Sequence, residues 1–237
     1  MSLLSTINAT PTYELDLPSN GQKIIYKPFL VKQEKILLSA LESNKDKEIA
    51  LALKQVISEC IAEPKDFDIE SLPIFDVEYI FLKIRGKSVG EKVTLKLRCP
   101  DDEKVVVDYE LDLDKVDVLV DDDHNLEVKL EDRYGVHMRY PTISSLKLVS
   151  GNSVDTALGL IKECIDVIYK DDKEFKRKDI TDKELSEWID NLTQKQFTQF
   201  ETFFKGMPRL EHLVKFKNPN SGKEHSIKLV GLKSFFQ

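Results

Sequence analysis

The residues able to do chemistry are few and stand apart. Four histidines occur, His124, His137, His212 and His225, and no two lie four residues apart, so no helix-borne pair is set to grip a metal. His137 alternates with Val136 and Met138, which points it to the wetter face of a strand. The three cysteines, Cys60, Cys99 and Cys164, are too few and too scattered for a disulfide framework. Cys60 falls on the apolar face of a helical repeat and reads as a buried structural thiol. Gly86-Lys87-Ser88-Val89-Gly90 resembles the end of a phosphate loop, but the upstream glycine and the preceding strand that such a cradle needs are missing. Asp121, Asp123 and Asn125 match positions 1, 3 and 5 of a calcium loop. Leu126 then stands where the sharp turn wants glycine, and Asp132 where a bidentate glutamate belongs, so the run reads as an acidic turn between strands. No GxSxG, HExxH or GxGxxG pattern is present. No residue is assigned to catalysis, to a cofactor or to a metal. The expectation is a binding or scaffolding protein, not an enzyme.

The chain that must position these residues has 237 of them, 41% apolar and 32% charged. That suits one large domain or two small ones with a packed core. No apolar run approaches the roughly 18–20 residues that span a bilayer, and Met1 to Pro18 has neither a basic start nor an apolar block. The sequence therefore predicts a chain that stays in the compartment where it is made, with no membrane span. The net charge of −7 disfavours general nucleic-acid binding. Between Asp101 and Asp132 there are 14 acidic and 3 basic residues, whereas from Phe203 to Gln237 there are 7 basic and 2 acidic ones. The two blocks could face each other within the fold or form two docking faces. The acidic block also reads as a solvated strand edge kept apart from other edges by its carboxylates.

Periodicity sorts the chain into alternating kinds of element. Tyr13, Leu15 and Leu17, the turn Pro18-Ser19-Asn20-Gly21, and Ile24 to Tyr26 predict a hairpin ended by Pro28. Leu30, Leu37, Leu38 and Leu41 predict a helix. After a polar break at Asn44 to Lys47, Ile49, Leu53, Val56 and Cys60 predict a second one, closed by Pro64. Ile74 to Arg85 fits helix or strand and is read as a helix starting near Pro73 and ending before Gly86. From Glu91 to Tyr140 the period becomes two, which predicts one antiparallel sheet with a turn at Asp132 to Gly135. Val154, Leu158, Ile161, Ile165 and Ile168 make a helical stripe, and Lys170 to Lys178 reads as a charged loop. Thr181 with Glu184 and Thr193 with Gln196 are capping-box pairs that open two further helices, the second stopped by Gly206 and Pro208. Strands return around Leu213 to Phe216 and His225 to Leu229. The class is α+β: antiparallel sheet and hairpins with flanking helices, in the order hairpin, helices, sheet, helices, hairpin. Segments 1–90, 91–141 and 142–237 follow those changes of period, and they are expected to form one compact unit.

An ordered set of landmarks then carries a resemblance. It comprises Tyr26-Lys27-Pro28-Phe29, Phe81 to Arg85 through Lys87-Ser88-Val89-Gly90-Glu91, Tyr140-Pro141-Thr142, Phe200 to Leu210 with Met207-Pro208, and Leu229-Val230-Gly231-Leu232 to Phe235-Phe236. Over nearly its whole length the chain resembles the baseplate-hub assembly proteins of T4-like contractile-tailed bacteriophages. The resemblance implies a chaperone-like, non-enzymatic assembly factor that binds hub or tape-measure proteins in the cytoplasm of the infected host. The alternative is a permanent structural subunit of the virion baseplate. Some members of that family carry Cys-Pro-x-Cys zinc knuckles at two hairpins. Here the corresponding turns hold Cys99 with Asp102, and Asn218 with Ser221, a set with one thiolate that cannot hold a structural zinc.

The contact element read from the sequence is Leu232, Phe235 and Phe236. Its two aromatics serve either as an anchor into a partner or as a plug for the protein's own core.

Overall fold

The computed structural model describes residues 10–43, 45–121, 123–145, 148 and 153–235. They fall into two compact units. The first joins the described residues of 1–119 to those of 209–237, and the second is made of those of 120–208. The strands read as a single sheet across 91–140 are in fact shared among three sheets, because the pairing partners of some lie far along the chain.

In the first unit, strands β1 (Tyr13–Asp16), β2 (Lys23–Tyr26) and β3 (Ile61–Glu63) form an antiparallel sheet in that order. Helix α1 (Val31–Ser43) packs on α2 (Asp46–Cys60), where Val56 and Cys60 of the expected stripe are buried together with Ile57, while Ile49 and Leu53 are half-buried. α2 stops at Cys60, because the next residues leave it to become β3; Pro64 stands beyond that strand. Helix α3 (Ile74–Val89) runs on through Gly86 and ends at Gly90, whose φ of 135° only glycine tolerates easily. α3 is buried on most of its sides, from Ile74 and Phe75 to Ile84 and Gly86, which marks it as the central helix of its unit. Two charges are buried with it. Asp76 accepts from the Ser19 backbone N–H at 3.1 Å and from the Ser19 hydroxyl, and burial raises its pKa. Lys83 donates through Nζ to the carbonyls of Asp114 and Val116 at 3.0 Å and of Leu113 at 3.3 Å.

Strands β4 (Lys92–Cys99) and β5 (Asp102–Asp112) pair as a two-stranded ribbon. β6 (Asp117–Leu119) pairs instead with β11 (Arg209–Lys217), which also pairs with β12 (Glu224–Val230). The ribbon and this sheet bury Leu95, Leu97, Leu111, Leu210, Val214, Phe216 and Leu229 in one core.

The second unit is a four-stranded antiparallel sheet in the order β10 (Lys173–Lys176), β9 (Ile165–Lys170), β8 (Tyr134–Met138), β7 (Glu127–Glu131). Helices α4 (Val154–Cys164), α5 (Asp182–Asp190) and α6 (Gln194–Gly206) complete it. The stripe expected to stay helical through Ile168 breaks at Cys164. Ile165 to Tyr169 is rich in β-branched and aromatic residues and pairs with β8. The charged loop at 170–178 contains β10, paired with β9. Both capping boxes are present, at Thr181 with Glu184 and at Thr193 with Gln196, and α6 stops at Gly206. Trp188 donates to the Tyr134 hydroxyl at 2.7 Å, and Phe200 and Phe203 sit in the core with Val136 and Ile165.

Candidate functional site

The last described residues of the first unit, Leu232 to Phe235, form a 3-10 turn entered through Gly231 at φ +69°. Glu78 of α3 anchors the turn, its Oε1 accepting the Leu232 N–H at 3.1 Å, and burial raises the Glu78 pKa. Phe235 is fully buried in the unit's own core, beside Leu82 and Leu229. Leu232 packs against the same core with its side chain partly exposed. Phe236 lies outside the described residues.

The two hairpin turns singled out in the sequence meet. The β4–β5 turn brings Asp101 against the β11–β12 turn, where its Oδ1 accepts from Asn218 Nδ2 at 3.0 Å and its Oδ2 from the Ser221 hydroxyl at 2.9 Å. Asn218 is itself buried, and its Oδ1 accepts the Asn220 N–H at 2.8 Å, so one amide fixes its own turn and reaches across to the other. His225 of β12 places Nε2 2.7 Å from Asp101 Oδ1. That nitrogen has no directed hydrogen bond, so the contact acts through charge when the ring is protonated. The Asn218 hydrogen bond leads in lowering the Asp101 pKa from its ordinary 3.8 to about 2, with Ser221 and His225 adding to it against some desolvation.

This donor set does not fit a zinc knuckle. Two of the four ligand positions hold an amide and a hydroxyl. Asp101 makes the contact in place of Asp102, whose Oδ1 accepts the Lys104 N–H at 3.1 Å. Cys99 is buried, which raises its pKa, with the Asp101 and Asp102 charges adding to the rise. Hydrogen bonds to one carboxylate join the tips. Spacing singled out the two turns, but nothing in it picked Asp101 over Asp102 or marked His225. The Oδ–donor pairs span separations of 117 and 120 residues, where local pattern is silent.

Elsewhere the singled-out residues take structural places. In the acidic run, Asp121 accepts the Asp123 N–H at 3.1 Å and Asn125 the Glu127 N–H at 2.9 Å, which are turn bonds; Asp122 lies outside the described residues. His124 packs against both Tyr140 and Phe203, with ring centroids 5.7 and 4.9 Å away, and burial lowers its pKa. Lys87 of the Gly-Lys-Ser run pairs with Glu91 and, at 2.9 Å, with Asp114. His137 is exposed, as its alternation requires.

Fold and site together define an α+β protein whose buried charges, Asp76 and Lys83, and whose hairpin-tip carboxylate are spent on its own elements. Among the described residues no group of three or more His, Cys, Asp and Glu is placed to hold a metal, and no helix is long and apolar enough to cross a membrane. The chain belongs to the family described as T4 bacteriophage base plate protein, whose sequence model matches residues 10–237. Family membership places its role in the phage tail baseplate, among baseplate proteins. No curated protein and no solved structure matches the chain.

Proposed function

We propose that this chain is a non-enzymatic assembly factor for the central hub of the baseplate, which binds hub or tape-measure proteins in the host cytoplasm and then leaves them. The observation that carries the reading is the family match over 10–237. The surface supports the transient form of it. Outward strand faces carry mixed charge, as where Lys92 pairs with Glu110 at 2.7 Å and Glu211 with Arg209 and Lys228 at 2.8 and 3.0 Å. Transient contacts are made through small polar faces, whereas permanent ones bury broad apolar areas.

A permanent structural subunit is the second reading. Leu30 and Val31, 52% and 66% exposed, favour it. They follow Phe29, whose N–H is bonded to Ser88 next to Val89, itself 56% exposed, so three apolar side chains share one neighbourhood. Quantitative mass spectrometry of infected-cell lysate and of purified virions separates the two. A factor that leaves is abundant in the lysate and missing from the virion. Recovery from virions in fixed ratio to the hub proteins assigns the structural subunit instead.

A further inference from the structure

The ribbon of β4 and β5 has an edge that nothing in its own unit completes. Among the described residues, no backbone hydrogen bond leaves the outer side of β5, which at 11 residues is longer than the 8 of β4. The phase of the ladder is fixed by Leu113, whose N–H donates to the Glu91 carbonyl at 2.7 Å, and the register then runs without a shift from Lys92–Asp112 to Arg98–Val106. Alternate residues of an antiparallel pair bond inward. Val107, Tyr109 and Leu111 therefore bond to β4, while the backbone groups of Val106, Asp108 and Glu110 point away from it.

This edge presents two rows of side chains. On the core side Val105, Val107 and Tyr109 are only half-buried, whereas Leu95 and Leu97 of β4 are 3% and 8% exposed. The core closes over β4 and is left partly open over β5. On the solvent side stand Asp108 and Glu110, with Val106 48% exposed. β4 itself shows what chemistry pairs with these rows. Leucines at 95 and 97 lie on the core side, Lys96 lies opposite Asp108, and Lys92 reaches Glu110 at 2.7 Å. Edges that avoid pairing carry charged side chains, lysine above all, or proline or a bulge. β10 has Lys173 and Lys176 for this. In β5 the bulge takes up residues 103–105, opposite Arg98/Cys99, and carries Lys104, but from Val106 to Asp112 the ladder is regular and free of lysine and proline, and its solvent-side charges are carboxylates, which turn away an acidic strand and receive a basic one.

We propose that the outer edge of β5 is a strand-addition site for an extended segment of a partner protein in which apolar side chains alternate with lysine or arginine. The added strand bonds to the backbone of Val106, Asp108 and Glu110, lays its apolar row over Val107 and Tyr109, and sets its cations on Asp108 and Glu110. The site rests on reading the chain as a binding protein.

The test uses the full chain and a fluorescent peptide of alternating valine and lysine, about seven residues long to match an ordinary strand. Binding is expected, with protection of the Val106, Asp108 and Glu110 amides from hydrogen exchange. Val106→Pro removes an outward N–H that the ribbon does not use, and it is expected to weaken the peptide by about tenfold or more. A peptide with glutamate for lysine should not bind. Equal binding of the glutamate peptide, or full binding to a folded Val106→Pro chain, overturns the proposal. So does unchanged exchange at the three amides, a result that does not depend on how the proline variant folds. A pull-down from infected cells that still recovers baseplate proteins with Val106→Pro removes this site and leaves the assembly reading standing.

Discussion

At the scale of single residues, Asp101 and His124 make opposite use of a titratable group. Asp101 is held ionised by Asn218, Ser221 and His225, so its pKa is lower in the folded chain than in the unfolded one. Its contribution to stability is whole above its ordinary 3.8 and is lost as the pH falls toward about 2. Asp101→Asn should unfold at lower urea than the parent near neutral pH. The gap between the two midpoints should narrow as both are measured down to pH about 2; a gap that stays constant removes the carboxylate from the argument. His124 packs among aromatic rings, and burial leads the lowering of its pKa against a smaller opposing effect of Asp121. A base with a depressed pKa gives stability that is complete above its ordinary 6.5 and lost as the pH drops below it. His124→Phe should flatten the fall in stability of the second unit between about pH 7 and 5, read by near-ultraviolet circular dichroism. A fall as steep as the parent's assigns the acid sensitivity to other groups.

At the scale of elements, close packing decides more than propensity. An added Cβ at Gly135 of β8 would lie 2.6 Å from the Val128 carbonyl of β7 and would also run into the Tyr169 hydroxyl, so strand and side chain would both have to move. Gly135→Ala should cost about 1–3 kcal/mol, seen as a drop in the urea midpoint, and a neutral result would mean that β7 and β8 separate freely. Phe235 is fully buried, and Phe235→Ala should cost about 3–5 kcal/mol. Deleting 235–237 should lower the melting temperature of the first unit along with any loss of partner binding. An unchanged melting temperature would return Phe235 to the role of an anchor. Much of this level was legible. Thr181 with Glu184 and Thr193 with Gln196 announced their helices because a capping box is local chemistry. The β7–β8 hairpin followed from alternation around a short polar turn. The end of α4 was not legible, because Ile165 and Ile168 continue the helical spacing and only pairing with β8 decides for a strand. β6, three residues long, takes its place from β11, about ninety positions later in the chain, where no local pattern reaches.

At the scale of the molecule, charge is segregated along the sequence, and complexes joined through such faces weaken as salt rises. Baseplate proteins captured by the tagged chain should be lost as salt increases from about 0.05 to 0.5 M; capture indifferent to salt would place the contact on apolar side chains such as Leu30, Val31 and Val89. One further consequence lies in the discontinuity of the first unit. Leu119 and Arg209 are paired neighbours in one sheet, so the chain leaves that unit and re-enters it at nearly the same point, with the whole of 120–208 made in between. During synthesis the intervening piece leaves the ribosome with all of its own strands and helices, and it can fold at once. The earlier piece must wait, because β11, β12 and Phe235, which close its core, do not yet exist. Until they emerge, the nascent chain exposes the apolar faces of α3 and the β4–β5 ribbon, and that interval is when this protein most needs a chaperone of its own.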